Sequence, residues 1–210
     1  MNKGFLRVIG IAMSAAIFFV SEMPDGVAGD RSNYERSIAS LSHVEVMASI
    51  STPYEAMRYL LSYLRYVSDS DAYDERDYVA SFRIVHERRC DDCDGGAIAA
   101  AALLSDDGYP PLLLCMYNDD HTMAHMGGHT VFIYHDGKRW GTLGIKEYDC
   151  MMPFYESVEG IVERYGFSKY NIKKIDELCD DWIDNDVNMS DMIYDPVTAV
   201  SIKKEGQKID

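Results

Sequence analysis

Cys93-Asp94-Gly95-Gly96-Ala97-Ile98-Ala99-Ala100-Ala101-Ala102-Leu103-Leu104 reads as a helix with a cysteine in its first turn. Unpaired backbone N–H groups and the positive end of the helix dipole gather at such a start, and both favour a thiolate. The alanines that follow leave almost no side-chain bulk on any face. A helix of this kind packs closely and centrally, pressed against a sheet. Asp106-Asp107-Gly108 closes it and Pro110-Pro111 turns the chain.

Downstream, Leu112 to Tyr117 is a short apolar run of strand length. Gly127-Gly128-His129 leads into Thr130-Val131-Phe132-Ile133-Tyr134, a second strand with a histidine at its start. His129 to His135 and Lys138 to Gly144 flank Asp136-Gly137, a two-residue hairpin signal. In that register residue 129 faces residue 144. Upstream, Thr52-Pro53-Tyr54-Glu55 supplies a capping box with proline at the first helical position. Met57, Leu60, Leu61, Leu64 and Val67 then recur at helical spacing. Tyr155 to Tyr165 and Ile172 to Trp182 read as helices. Helices, a cysteine helix, antiparallel strands and helices again make an α+β domain.

The 210 residues suit one domain, and a net charge of -15 argues against nucleic acid and against anionic membrane surfaces. A substrate that is neutral, cationic or a loop of another protein fits such a surface, the last being the protein or peptide substrate expected here, and no motif calls for a cofactor. Lys3 and Arg7 precede an apolar stretch from Val8 to Val20, and Val27-Ala28-Gly29 offers small residues for cleavage before Asp30. Residues 1–29 are therefore expected to be a secretory signal peptide. A secreted or periplasmic protein follows, or one anchored in a membrane if the segment is not cleaved. Residues 30–50 read as a polar lead-in, 51–183 as the folded domain and 184–210 as an acidic tail. The five cysteines, Cys90, Cys93, Cys115, Cys150 and Cys179, are an odd number, so at least one stays outside any intramolecular disulfide. If Cys93 is the free one, the other four could form two bridges.

Cys93-Asp94-Gly95-Gly96-Ala97, Leu103-Leu104 with Gly108-Tyr109-Pro110, the His-Thr-Val strand from His129 and Gly137-Lys138-Arg139-Trp140-Gly141 together resemble the transglutaminase-like superfamily of papain-like cysteine hydrolases. Pro153-Phe154-Tyr155-Glu156-Ser157 and a Tyr/Asn-rich segment from Tyr165 to Asn171, read as a helix, look like a little-characterised bacterial branch of it. The resemblance spans about residues 50–180. It implies a nucleophile helix packed on an antiparallel sheet with flanking helices, Cys93 as nucleophile and His129 as general base. Such families place an aspartate shortly after the tryptophan of the next strand, and four residues past Trp140 stands Gly144. The orienting group is then expected to be Glu147, or alternatively Asp149, reaching back from the strand end, or else an Asn or a backbone carbonyl. Asp91 replaces a glycine common two positions before the nucleophile, and its charge is expected to raise the thiol pKa.

The activity so implied is thiol-dependent acyl transfer, with hydrolysis of amide bonds preferred over crosslinking. The alternative is a non-catalytic binding or structural module that keeps the fold with Gly144 in place of the acid. Lower stands a redox protein using Cys90-Asp91-Asp92-Cys93, though the preceding segment is mostly polar rather than a strand. His121, His125 and His129 recur every fourth residue and offer a weak metal alternative, but Gly127-Gly128 breaks the helix that spacing needs. Asp184, Asp186, Asn188, Ser190 and Asp195 fall at calcium-loop spacings, with Met189 where that turn needs glycine. A solvated acidic loop is the better reading.

Overall fold

The computed structural model describes residues 28–75, 78–118, 128–187 and 200–201. Helices lead: α1 (Ala28–Ala39), α2 (His43–Ser49) and α3 (Pro53–Tyr63). The polar lead-in is thus largely helical. Its signal is a second capping box, in which the Ser42 hydroxyl accepts from the Glu45 N–H while the Glu45 carboxylate accepts from the Ser42 N–H at 2.8 Å. Thr52 and Glu55 start α3 in the same way. The short strand β1 (Arg65–Tyr66), helices α4 (Asp69–Ala72) and α5 (Phe82–Arg88) and strand β2 (Cys90–Asp91) follow, with β1 and β2 paired in parallel.

Helix α6 (Cys93–Leu104) comes directly after β2, and every residue from Gly95 to Leu104 is buried. It packs between the strand carrying His129 and helices α2, α3 and α5. Two glycines permit this approach. A Cβ on Gly95 would lie 2.2 Å from Asp91 Cγ, and one on Gly96 would lie 2.8 Å from Ile145 Cβ.

The sheet holds β3 (Leu112–Tyr117), β4 (His129–His135), β5 (Trp140–Leu143), β6 (Met151–Tyr155), β7 (Lys169–Lys174) and a two-residue piece, β8 (Val200–Ser201). Its order is β6-β5-β4-β3-β7-β8, all antiparallel. Helix α7 (Val158–Tyr165) precedes β7, and α8 (Ile175–Leu178) follows it. Side-chain alternation divides the core between the two faces. Leu113, Cys115, Phe132 and Tyr134 join the α6 side, while Leu114, Met116, Val131 and Ile133 meet Val158, Ile161 and Val162 of α7. The class is α+β: helices, sheet, helix.

Four expectations need correction. Ile172 to Trp182 is not one helix: Lys169–Lys174 pairs with β3, and only Ile175–Leu178 is helical. Along this segment Ile172 is 43% exposed and Ile175 is fully buried. The same pairing removes the expected helix from Tyr165 to Asn171, since α7 ends at Gly166 in the left-handed conformation. Helix α7 starts at Val158 rather than Tyr155, and the Ser157 hydroxyl accepts from the Gly160 N–H to cap it. Finally, the hairpin turn spans four residues. His135 pairs with Trp140, and the Asp136 carboxylate accepts from the Lys138 and Arg139 N–H groups.

The domain also runs past residue 183. Trp182 and Val187 are buried, and Asp186 accepts from the Ser81 N–H at 2.8 Å and from the Tyr78 hydroxyl. Asp184 pairs with His43 at 3.0 Å and with Arg83. These acids fasten residues 184–186 to α2 and α5. Asn188, Ser190 and Asp195 lie outside the described residues, as do His121, His125 and the signal segment up to Val27. Among the described residues no helix is long and apolar enough to cross a membrane.

Candidate active site

Cys93 stands at the first position of α6 because Asp92 caps the helix, its carboxylate accepting from the Asp94 N–H at 3.0 Å. The Cys93 residue is half-buried, and its thiol donates to Asp94 Oδ1 at 3.4 Å. Burial pushes the thiol well above its ordinary pKa, and the Asp94 and Asp92 carboxylates push it further. The Thr130 backbone beside the sulfur pulls the other way without offsetting them. The helix dipole therefore loses to desolvation and two carboxylates, and the resting group is a neutral thiol.

The acids acting on Cys93 are its chain neighbours 92 and 94, not Asp91 as the sequence reading expected. Asp91 is fully buried and turned away toward Tyr73, whose hydroxyl donates to it at 2.5 Å. The Asp92 N–H donates to its other oxygen at 2.7 Å. Burial raises the Asp91 pKa to about 7. Asp69, Asp91 and Asp92 bring carboxylate oxygens within 4.8 Å of one another, but protein donors serve them: Tyr73 and the Asp92 N–H on Asp91, and the Tyr78 N–H on Asp69.

The base side of the site is built differently. His129 Nε2 donates to Asp149 Oδ1 at 2.7 Å, and Asp149 is fully buried. Tyr165 donates to the same oxygen at 3.2 Å, and the Lys146 N–H reaches Oδ2 at 3.4 Å. The Thr142 hydroxyl donates to the Asp149 carbonyl at 2.6 Å and fixes the backbone. An acceptor on Nε2 holds the ring proton there, which leaves Nδ1 bare and able to take a proton.

Asp149 lies on a single 3-10 turn, Glu147–Asp149, between β5 and β6. Of the two acids proposed from sequence, Asp149 meets the histidine, and Glu147 is exposed. The observed pairing sum moves the register by two, setting Val131 rather than His129 across from position 144. The glycine there has a direct role. A Cβ on Gly144 would sit 2.7 Å from Asp149 Cβ and 3.1 Å from its carboxyl carbon. Asp149 occupies the space that a side chain at 144 would fill.

The structure thus joins His129 with Asp149, and Cys93 with the backbone of β4 one residue beyond His129. It does not join Cys93 to His129 by a hydrogen bond: the thiol proton goes to Asp94. All five cysteines are free thiols. Sequence reasoning missed Tyr165, which helps hold the acid, and the trio Tyr66, Lys146 and Tyr148. The Tyr148 ring centre lies 6.2 Å from that of His129. Tyr66 lies near enough to Cys93 and Asp92 for their charges to raise its own pKa, after burial as the first cause. No family model matches the chain, and no curated protein matches it.

Proposed function

We propose that this chain is a transglutaminase-like cysteine hydrolase that cleaves amide bonds of protein or peptide substrates. The observation that carries the reading is the buried Asp149 carboxylate on His129 Nε2, filling the space beside Gly144, on the strand whose Thr130 backbone lies beside the Cys93 sulfur. In this reading substrate binding turns the thiol from Asp94 to Nδ1 of His129, since catalytic hydrogen bonds often tighten only in the complex. The thiol proton passes to Nδ1 while the sulfur forms a bond to the amide carbonyl carbon. The oxyanion is met by the Cys93 N–H, which has no intrahelical acceptor at that position. The imidazolium gives its proton to the departing amine as the C–N bond breaks, leaving a thioester on Cys93. A water deprotonated at Nδ1 then releases the acid and frees the thiol.

A peptide nitrophenyl ester tests this directly. Catalytic nitrophenol release that vanishes in Cys93→Ala and falls by orders of magnitude in His129→Ala supports the hydrolase. Release at the same rate in Cys93→Ala overturns it. A second reading, a non-catalytic binding module, is favoured by one observation, the neutral thiol tied to Asp94. It loses its sequence argument, because position 144 is a glycine that makes room for an acid.

A further inference from the structure

Lys146 departs from the electrostatic habit of this chain, which carries 35 acidic against 20 basic residues. Lys174 and Arg83 each sit against carboxylates. The Lys146 ammonium instead lies 3.4 Å from the centre of the Tyr66 ring and 5.6 Å from that of Tyr148, and makes no ion pair among the described residues. Burial lowers its pKa, but the Tyr148 hydroxyl, the two tyrosines and, least, the Asp149 carboxylate more than compensate, so the charge is held.

Its position is equally specific. Tyr66 comes from β1, beside the strand that leads into Cys93, and Tyr148 comes from the turn beside His129. The two rings are 44% and 55% exposed, large apolar surface left open at the mouth of the candidate site. An ammonium between them stands between the nucleophile side and the base side. Its backbone N–H meanwhile bonds Asp149 and fixes the segment that carries it.

We propose that Lys146, with Tyr66 and Tyr148 as its walls, is the residue by which this site selects peptide substrates bearing a carboxylate next to the scissile amide. This specificity rests on the hydrolase reading given above. A carboxylate gains a charge-assisted bond to an ammonium that makes no ion pair among the described residues and feels Asp149 only at a distance. The tyrosine rings cover the apolar stem of the incoming side chain, and their contacts to the ammonium survive its approach from the open side. Asp92 and Asp94, across the thiol on the helix, penalise any anion, so the decisive quantity is the change that Lys146 alone makes.

Iodoacetate and iodoacetamide differ by one charge and alkylate thiols by the same step: sulfur bonds carbon and iodide leaves. The ratio of their rates at Cys93, read by mass spectrometry, is expected to fall about fivefold in Lys146→Met, equivalent to about 1 kcal/mol. Lys146→Arg should keep it, and Tyr148→Ala should lower it less. An unchanged ratio in Lys146→Met overturns the proposal. The ratios at Cys90 and Cys179 serve as internal controls. Alkylation proceeds through the thiolate, whose proton goes to solvent rather than to His129, and the thiolate fraction cancels in the ratio of the two reagents. This outcome is therefore separate from failure of the hydrolase, which would instead appear as ester turnover indifferent to Cys93→Ala.

Discussion

The two sides of the candidate site are built with opposite electrostatics. On the helix side, Cys93 meets burial, Asp92 and Asp94, and all three keep its proton on. On the strand side, His129 meets a buried carboxylate that fixes its tautomer and awaits a positive charge. A thiolate–imidazolium pair formed in advance would need the helix side to favour the anion. In the proposed mechanism the thiol stays neutral until the imidazole is brought to it, as a serine does, and the His129–Asp149 pair would carry the activation.

The largest effect that would break this contrast lies on the strand side. Asp149→Asn should lower ester turnover by orders of magnitude, because an amide partner no longer fixes the proton on Nε2. Turnover within threefold of the parent protein would remove Asp149 from the mechanism. Gly144→Ala comes next. Its methyl group meets Asp149 at well under contact distance, so the acid must move. A loss of about 1–3 kcal/mol in denaturant titration and at least a tenfold fall in turnover are expected. Gly144→Ala combined with Asp149→Ala should recover the stability but not the activity.

On the helix side, Asp94→Asn removes a nearby negative charge and leaves the thiol proton only a neutral amide oxygen as acceptor. The Cys93 pKa should fall by about one unit, giving about tenfold faster alkylation near neutral pH. An unchanged rate would show that Asp94 does not set the thiol and that burial and Asp92 do. Smaller still is the contribution of Asp91. Its raised folded-state pKa means the folded chain holds a proton that the unfolded chain releases between the ordinary carboxylate range and about pH 7. Stability should therefore fall as pH rises through that window, with a slope from this group of at most about 1.4 kcal/mol per pH unit. Asp91→Asn should flatten that part of the profile, which urea midpoints measured from pH 4 to 8 would reveal.

Much of this arrangement is legible in the residues. The small-residue run after Cys93 announced a central helix, and the unbroken apolar stretch from Thr130 to Tyr134 announced a strand inside a sheet. The Asp149 side chain was within reach as a candidate, but its priority over Glu147 was not. Only the backbone turn between β5 and β6 decides which of two acids two residues apart points inward. The hairpin misled because Asp136-Gly137 satisfies a two-residue turn as well as the wider loop in which Asp136 caps two amides. Lys169–Lys174 escaped because a strand that completes a sheet needs no alternation of its own, only a neighbour with an open edge. The Lys146–tyrosine cluster left no local signal, since its members come from positions 66, 146 and 148.

The account turns on whether His129 and Asp149 serve Cys93. The most direct measurement is the pH profile of Cys93 acylation by a peptide nitrophenyl ester, followed as adduct mass in the parent protein, His129→Ala and Asp149→Asn. The account predicts that the parent acylates at neutral pH far faster than either variant. Both variants should acquire activity only as the pH climbs toward the raised thiol pKa. Three superimposable profiles would contradict it.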